Sequence, residues 1–495
     1  MIREIFSSGK DEYYTLTNVV LLCVVVLVIY IGLKIFTKKK FVIEKIYLII
    51  SIVLGVCMTL IIPVGSAPDE PTHMYVSYNL SNKLMGVDEN SEGYLLMRKE
   101  DIDAYTQTKW LTREYINGYY SDLFNQDIDD ELVVTDIEVS DSNYFLYIFS
   151  ALGITVGRLL GLDSILMYLL GRWFNMLFFS GVTYFAIKKI PFGKSVVFVW
   201  ALLPIMIQQT CSFSYDCVIN ALCILIIAMT FNFMYGEKNA KRKQVYIDIA
   251  MMTVSCLLLL PCKGYALLPV AIFPLFILIK KAKEIILEKQ YSKLKIYGTL
   301  ALVCLLIVSV SVVVIKYISV STGTEGAYVE WAGKNANSVG YFLSNPIELV
   351  SIFKDTMLKN GTSYINQMFG GYLGWMEIAV PFIFVFPFAV LLLYAGLFHE
   401  NEEICMTLGD RLWFVFVFLA VDFLACLGML LYWTPADARF IEGVQGRYFL
   451  PALVPVVLSM RTKRLCGGRY KEKIISLMVP IMYIFVVTTI LKSRL

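Results

Sequence analysis

The amino-acid sequence predicts an all-α protein that crosses a membrane many times. Hydrophobic residues make up 58% of the 495 positions, which is more apolar surface than one soluble core can bury. Apolar runs long enough to cross a bilayer recur along the chain, and lysine and arginine concentrate in alternate connections between them. A formal net charge of only +3 gives no reason to expect a nucleic-acid partner.

About 20 apolar residues are needed to cross the hydrocarbon core of a bilayer, and twelve segments approach that length. They are residues 18–36, 44–64, 165–187, 194–212, 216–235, 246–262, 264–280, 297–318, 378–397, 412–432, 447–460 and 474–491. Basic runs such as KKKFVIEK, GEKNAKRKQ and RTKRLCGGRYKEK fall on one side of these spans. The positive-inside rule makes that side cytoplasmic and the other side extracytoplasmic.

The large loop after the second span supports this orientation. Residues 65–143 hold seventeen acidic residues against five basic ones, as expected outside the cell. The chain then divides into two N-terminal spans (1–64), a first outer loop (65–164), a membrane bundle (165–318), a second outer loop (319–377) and C-terminal spans (378–495).

Two outer segments are predicted to be helices that lie in the membrane interface. Residues 144–162 (YFLYIFSALGITVGRLLGL) are apolar, but crossing here would place Lys188 and Lys189 on the wrong side. Residues 344–360 carry a cap residue, a proline in the first turn and apolar residues at helical spacing, and Gly361 is the predicted stop.

Acidic residues open the first outer loop, in the sequence GSAPDEPTHMYVSYNLSNKL. Pro71 suits the first turn of a helix, which is predicted to run to Leu84 before Gly86 ends it. On such a helix Asp69, Glu70 and His73 share one face. They either form a catalytic cluster or provide an ordinary N-terminal cap, and the spacing leaves both open.

Basic residues at the outer face are candidates for binding phosphate. Arg447 opens a span on the side where positive charge is disfavoured, so its guanidinium must reach lipid headgroups or a buried anion. A planar guanidinium matches phosphate oxygens in pairs. Arg439 and Lys263, the latter in PCKGY, are candidates for the same anion.

Four further residues are predicted to line the same cavity: Asp216, Glu377, Gln445 and Tyr448. Asp216 lies in a polar hairpin between two spans, and Glu377 lies at the mouth of the next outer span. The alternatives are a hairpin tip satisfied by water and a structural turn.

Taken together, PDEPTH, the run YFLYIFSALGITVGRLLG with the following GRWFN, SFSYD, PCKGY, GYLGW and GVQGRYFLP resemble the bacterial multi-spanning family known as domain of unknown function 2142. The similarity covers about residues 45–465. That family is grouped with the GT-C glycosyltransferases, which take a sugar from a polyprenyl-phosphate carrier outside the cytoplasm. The resemblance implies a GT-C-like bundle in the bacterial plasma membrane.

The resemblance also implies that Asp69 is the catalytic acid position and Glu70 its neighbour. Asp69 would then act as general base on the acceptor, with Glu70 orienting it or binding a divalent cation, Mg²⁺ or Mn²⁺, and His73 supporting both. Arg447, with Lys263 or Arg439, would hold the donor phosphate. The partners would be a lipid-linked sugar donor and a saccharide or glycolipid acceptor of the cell envelope.

Two other function classes fit the same features. A transporter or flippase of lipid-linked saccharides would also use outer acids and a buried arginine, but internal repeats are expected of it and none is visible. A non-catalytic protein of envelope assembly would not need acids and bases converging at the mouths of spans.

Overall fold

The computed structural model describes most of the chain. The described residues are 12–37, 41–87, 93–103, 129–138, 143–236, 242–277, 280, 298, 326–399, 404, 406–468 and 470–492. The predicted span at 297–318 lies almost wholly outside them.

The N-terminal third contains two long helices and the described part of residues 65–164. These elements are α1 (Glu12–Phe36), α2 (Ile43–Ile61), α3 (Glu70–Met85), β1 (Tyr94–Arg98), α4 (Lys99–Asp103), β2 (Leu132–Glu138), a 3₁₀ turn (Tyr144–Leu146) and α5 (Ile148–Leu159). The middle of the chain adds α6 (Ser164–Lys189), α7 (Lys194–Ala201), α8 (Pro204–Thr210), α9 (Asp216–Tyr235), α10 (Arg242–Leu259), a 3₁₀ turn (Cys262–Tyr265) and α11 (Leu268–Ala271).

The C-terminal part combines small hairpins with further helices. Its strands are β3 (Tyr328–Val329), β4 (Lys334–Asn335), β5 (Tyr372–Leu373) and β6 (Ile378–Ala379), and a 3₁₀ turn (Glu330–Ala332) separates the first two. Its helices are α12 (Val339–Ser344), α13 (Pro346–Met368), α14 (Phe382–Leu397), α15 (Leu408–Tyr432), a 3₁₀ segment (Gly446–Ala452), α16 (Leu453–Ser459) and α17 (Lys471–Lys492).

Six helices among the described residues are long and apolar enough to cross a membrane. They are Asn18–Ile35 within α1, α2, α6, α9, α15 and α17. The predicted spans 194–212 and 447–460 are each built from two short helical pieces, which meet next to Pro204 and Pro451. The described part of 264–280 likewise contains only short helical pieces, next to Pro269 and Pro274. The chain is thus a multi-pass helical membrane protein, and the number twelve stays a prediction.

The two predicted interfacial helices both form. Helix α5 has 12 residues, a length of about 18 Å that is too short to cross a bilayer. Helix α13 has 23 residues and runs through Gly361 to Met368, so the predicted stop at Gly361 was wrong. Tyr364 and Met368 are buried beyond it, and their burial outweighs the cost of one helical glycine, about 1 kcal/mol.

The strands β1 and β2 form a two-stranded antiparallel sheet that covers α3. Arg98 lies at the end of β1, 3% exposed, and donates hydrogen bonds of 2.8 and 2.9 Å to both carboxylate oxygens of Asp101. Asp101 also accepts hydrogen bonds from Tyr78 on α3 and Ser164 at the start of α6. This buried network attaches the first outer loop to the bundle.

The ends of the bundle differ in their charged contacts. Asp216 begins α9, and Tyr235 ends it about 30 Å away. At the Tyr235 end, the Tyr235 hydroxyl and the Lys280 ammonium both bind Asp410. Asp216 therefore lies at the end of α9 opposite Lys280 and Asp410. This agrees with the prediction that the basic connections lie at one end of the bundle and the acidic motif at the other.

A close approach between α5 and α6 depends on Gly153. A Cβ added there would lie 2.5 Å from the Leu170 carbonyl oxygen and 2.6 Å from the Gly171 Cα. We predict that Gly153→Ala lowers the midpoint of thermal unfolding of the detergent-solubilised protein, because overpacking costs about 1–3 kcal/mol. Gly181→Ala on α6 is the control, since nothing lies within 4 Å of its Cβ position. Equal midpoints for the two variants would contradict this packing.

Candidate active site

The acidic motif is held by a completely buried carboxylate, that of Glu70. Its two oxygens accept hydrogen bonds from the backbone N–H groups of Gly65, Ala67 and Phe213 at 2.9, 3.1 and 3.1 Å. They also accept bonds of 2.8 and 2.6 Å from the Arg172 guanidinium. A carboxylate has about four lone-pair sites, so these five donors use all of its capacity.

Arg172 ties the motif to the membrane bundle. It lies on α6, 1% exposed, and donates to the backbone carbonyls of Ile62 and Pro63 at 2.6 and 2.8 Å. These carbonyls follow the end of α2, where a helix leaves backbone acceptors unsatisfied. The ion pair of Arg172 with Glu70 therefore fixes the turn between α2 and α3.

Asp69 occupies the cap position of α3 but does not cap it. Its φ of 60° lies in the left-handed region, and its side chain makes no capping hydrogen bond. Aspartate tolerates this conformation better than most residues, and such outliers concentrate at functional sites. The capping interpretation of Asp69 is thus wrong, because its carboxylate turns instead to Arg447.

Four charged side chains from distant parts of the chain meet at this point, and we call them the charged cluster: Asp69, Asp216, Lys263 and Arg447. Arg447 Nη2 lies 3.0 Å from Asp69 Oδ2. Arg447 Nε lies 3.8 Å from Asp216 Oδ2, and Lys263 Nζ lies 2.6 Å from Asp216 Oδ1. The formal charges of the cluster cancel, so the four groups can be buried together at a lower cost than any one of them alone.

The members of the charged cluster differ in exposure. The side chains of Arg447 and Asp216 are 7% and 5% exposed, whereas that of Asp69 is 56% exposed. Lys263 and Tyr265 both have positive φ, at 50° and 68°, so a strained turn presents the lysine. The cluster therefore combines the exposed carboxylate of Asp69 with the largely buried cations of Arg447 and Lys263.

Aromatic rings surround the cluster. Lys263 Nζ lies 4.5 Å from the ring centre of Tyr448 and 5.7 Å from that of Tyr215, within the range of cation–π attraction. His73 packs edge-on against Tyr215 at 4.7 Å. Its Nδ1 lies 2.9 Å from the Tyr147 hydroxyl.

His73 is held in its neutral form. Burial lowers its pKa to about 4, although the nearby carboxylates of Asp216 and Asp69 oppose that shift. Burial also raises the pKa of Tyr215 to about 12. Near neutral pH the aromatic wall therefore carries no charge of its own, and the charges belong to the cluster.

A cleft opens beside the guanidinium of Arg447, and we call it the Arg447 cleft. It has a volume of about 20 Å³ and is lined by Pro68, Ile205, Gln208, Gln367, Tyr372, Gly374, Met376, Gln445 and Arg447. Gln367 Oε1 accepts a 2.8 Å hydrogen bond from the Gly446 N–H, which positions Arg447. Gln208 pairs with both backbone groups of Gly374, at 2.8 and 3.0 Å. Two glutamines therefore set the shape of the cleft.

The remaining predicted site residues lie at varying distances from the cluster. Gln445 lines the Arg447 cleft and Tyr448 packs against Lys263. Glu377 packs over Gly374 at the edge of the cleft, where it leaves no room for a Cβ. Arg439 is exposed, and among the described residues it makes none of the contacts of the cluster. Lys263, rather than Arg439, accompanies Arg447.

The predicted pair of carboxylate ligands does not fit a divalent cation. Hard cations need several free oxygen ligands, but both oxygens of Glu70 are used by Arg172 and backbone N–H groups. Among the described residues, no group of three or more His, Cys, Asp and Glu side chains is arranged to hold a metal ion. Glu70 is a positioning residue for Asp69 in this arrangement.

Several site residues were not predicted from the sequence. Arg172 carries the clearest missed signal, because an arginine inside an apolar span needs a partner. Tyr147, Tyr215 and Gln209 carry no such signal, and only the fold brings them to the site. Gln209 Nε2 donates to Asp216 Oδ2 at 3.2 Å.

Removing Arg172 should destabilise the protein strongly. Arg172→Gln leaves the buried Glu70 carboxylate without its counterion, and breaking a buried pair costs about 3–5 kcal/mol. We predict a large fall in the thermal unfolding midpoint in detergent. Lys99→Gln removes an exposed ion pair at 3.5 Å from Asp129 and is the control with little expected change. If the thermal unfolding midpoint of Arg172→Gln is no lower than that of Lys99→Gln, the anchoring role of Arg172 is contradicted.

The comparisons with known proteins agree with the membrane architecture. No curated protein and no solved structure is similar enough to the chain to count as a match. A family model described as "Predicted membrane protein (DUF2142)" matches residues 49–456. That range includes Asp69, Arg172, Asp216, Lys263 and Arg447. The chain belongs to this family of predicted membrane proteins, domain of unknown function 2142.

Proposed function

We propose that the protein is a membrane glycosyltransferase that moves a sugar from a polyprenyl-phosphate donor to a saccharide or glycolipid acceptor of the cell envelope. The observation that carries this proposal is the contact of 3.0 Å between the open Asp69 carboxylate and the buried Arg447 guanidinium. One group suits proton acceptance and the other suits phosphate, and they lie within reach of one sugar phosphate.

The reaction is a single displacement at the anomeric carbon. The acceptor oxygen forms a bond to that carbon while the bond from the carbon to the phosphate oxygen breaks, so the configuration inverts. The acceptor proton passes to the Asp69 carboxylate, and the electron pair of the broken bond leaves with the lipid phosphate. Asp69 is more than half exposed, so it remains accessible to the acceptor while Arg447 holds one of its oxygens.

The leaving phosphate gains negative charge, and the buried cations stabilise that charge. Arg447 Nε is buried and donates no hydrogen bond to any described residue, and Arg447 lines the cleft that bears its name. A guanidinium with an unused donor is suited to bind a phosphate oxygen beside Asp69. Lys263, which contacts Asp216, places a second positive charge in the cluster.

The lipid tail has an apolar surface close to this cleft. Helix α13 ends next to Gln367, which lines the Arg447 cleft. Ile347, Val350 and Leu358, which lie up to about 30 Å along this helix from Gln367, are 85%, 67% and 79% exposed, and such an apolar face suits contact with hydrocarbon. We assign the prenyl chain of the donor to the surface of α13.

Asp69→Asn should abolish transfer without unfolding the protein. A general base contributes about 10²–10⁴-fold to the rate, so turnover with a polyprenyl-phosphate sugar should fall by at least about 100-fold. The protein is assayed in nanodiscs by release of the lipid phosphate. Asp437→Asn, an exposed acid paired with Lys334, is the control. Turnover near that of the wild type would remove Asp69 as the base, and donor binding without transfer in the wild type would favour a transporter.

Arg447→Gln should weaken donor binding. Loss of the guanidinium removes both the charge and the paired donors, so the apparent Kd for polyprenyl phosphate should rise at least about tenfold. Binding is measured by quenching of intrinsic fluorescence in nanodiscs. Arg439→Gln is a matched control, because this arginine is exposed and outside the cluster. Equal affinities of the two variants would exclude Arg447 from the phosphate site.

A further inference from the structure

A second cavity lies between α3 and the two-stranded sheet of β1 and β2. We call it the Tyr75 cavity. It has a volume of about 190 Å³ and is lined by Thr72, Tyr75, Val76, Asn79, Leu95, Ile137 and Glu138. Each water molecule occupies roughly 30 Å³ in the liquid, so this space corresponds to about six water molecules. That is close to the volume of a single sugar ring.

The helix contributes one face to this cavity and the opposite face to the core. Positions 72, 75, 76 and 79 follow the spacing of a single helical stripe. His73 and Ser77 lie on another stripe, where they bond to Tyr147 and Ser150 of the bundle. Val76 and Asn79 on the cavity stripe also pack against the core, whereas Thr72 is exposed.

The pairing of β1 with β2 is irregular where these strands line the cavity. Tyr94 pairs with Glu138, but Leu96 pairs with Val134, so the register shifts between these two pairs. A β-bulge bends its strand and redirects side chains. This shift brings Leu95, Ile137 and Glu138 to the cavity wall.

The lining combines the group types that bind carbohydrate. Tyr75 supplies a half-buried ring, and Val76, Leu95 and Ile137 supply apolar surface. Thr72, Asn79 and Glu138 supply a hydroxyl, an amide and a carboxylate. Asn79 Nδ2 donates to the Tyr144 hydroxyl at 3.2 Å, while its carbonyl oxygen accepts no hydrogen bond from a described residue. Sugars present C–H faces to rings and hydroxyls to such polar groups.

The position of the cavity matches the proposed chemistry. Thr72 lies three residues after Asp69, which is about 4.5 Å along the helix axis. The Arg447 cleft begins at Pro68, immediately before Asp69. In the chain, residue 69 thus lies between residues that line two cavities, one with a cation that suits phosphate and one with neutral and acidic groups that suit hydroxyls.

We propose that the Tyr75 cavity is the acceptor subsite and binds one neutral sugar residue of a saccharide chain. The exposed carboxylate of Glu138 disfavours an anionic sugar. The assignment to the acceptor rests on the proposed glycosyl transfer, whereas the binding of a sugar in this cavity does not.

The test uses the full chain in nanodiscs and saturation-transfer NMR with five free sugars: glucose, galactose, mannose, rhamnose and N-acetylglucosamine. At least one should show saturation transfer with the wild type and with Asp69→Asn. Thr72→Trp fills the cavity from an exposed position and should abolish the signal. Glu138→Gln should weaken the signal severalfold, and Glu131→Gln, an exposed acid beyond the other end of β2, should leave it unchanged.

Two outcomes separate this inference from the proposed function. If both Thr72→Trp and the wild type transfer sugar with the same acceptor KM, the subsite is overturned and the proposed transferase function is kept. Sugar binding that is lost in Thr72→Trp, with no transfer in the wild type, would support a saccharide site and remove the transferase. Equal saturation transfer in Thr72→Trp and wild type, or none in either, overturns the subsite.

Discussion

The buried ion pair between Glu70 and Arg172 is the interaction on which the candidate site depends. Both side chains are at most 1% exposed, and together they satisfy backbone groups at the end of α2, in the following turn and in the loop before α9. The pair converts a flexible connection between a span and an outer helix into a rigid one. Asp69 can hold a left-handed conformation because its neighbour is fixed on every side.

The charged cluster follows from this rigidity. Arg447 and Asp69 are 378 positions apart in the chain, and Asp216 and Lys263 arrive from two further connections. Each charge alone would be costly at the edge of a membrane, so the four stabilise one another in a neutral set. In the proposed reaction, the phosphate of the donor would compete with Asp69 for Arg447, and this one contact would couple donor binding to the proposed base.

The sequence was sufficient to predict the helical membrane architecture, a helix from Pro71 to Leu84 and the grouping of Asp69, Asp216, Lys263 and Arg447, because spans and charges are readable from composition. It was insufficient for Glu70, whose role depends on backbone N–H groups that no pattern reveals. Helix α13 passes Gly361 because tertiary packing outweighs local propensity. Arg439 and Lys263 looked equivalent as basic residues, and only the turn at Lys263 distinguishes them.

The central claim is that one sugar phosphate contacts both Asp69 and Arg447. A cryo-electron microscopy structure of Asp69→Asn in nanodiscs with a bound polyprenyl-phosphate sugar tests it directly. The account predicts the phosphate within hydrogen-bonding distance of the Arg447 guanidinium, with the prenyl chain along α13 and the substituted side chain at position 69 beside the phosphate oxygen that carries the sugar. A phosphate bound elsewhere, with Arg447 still engaged only by residues 69 and 216, would contradict it.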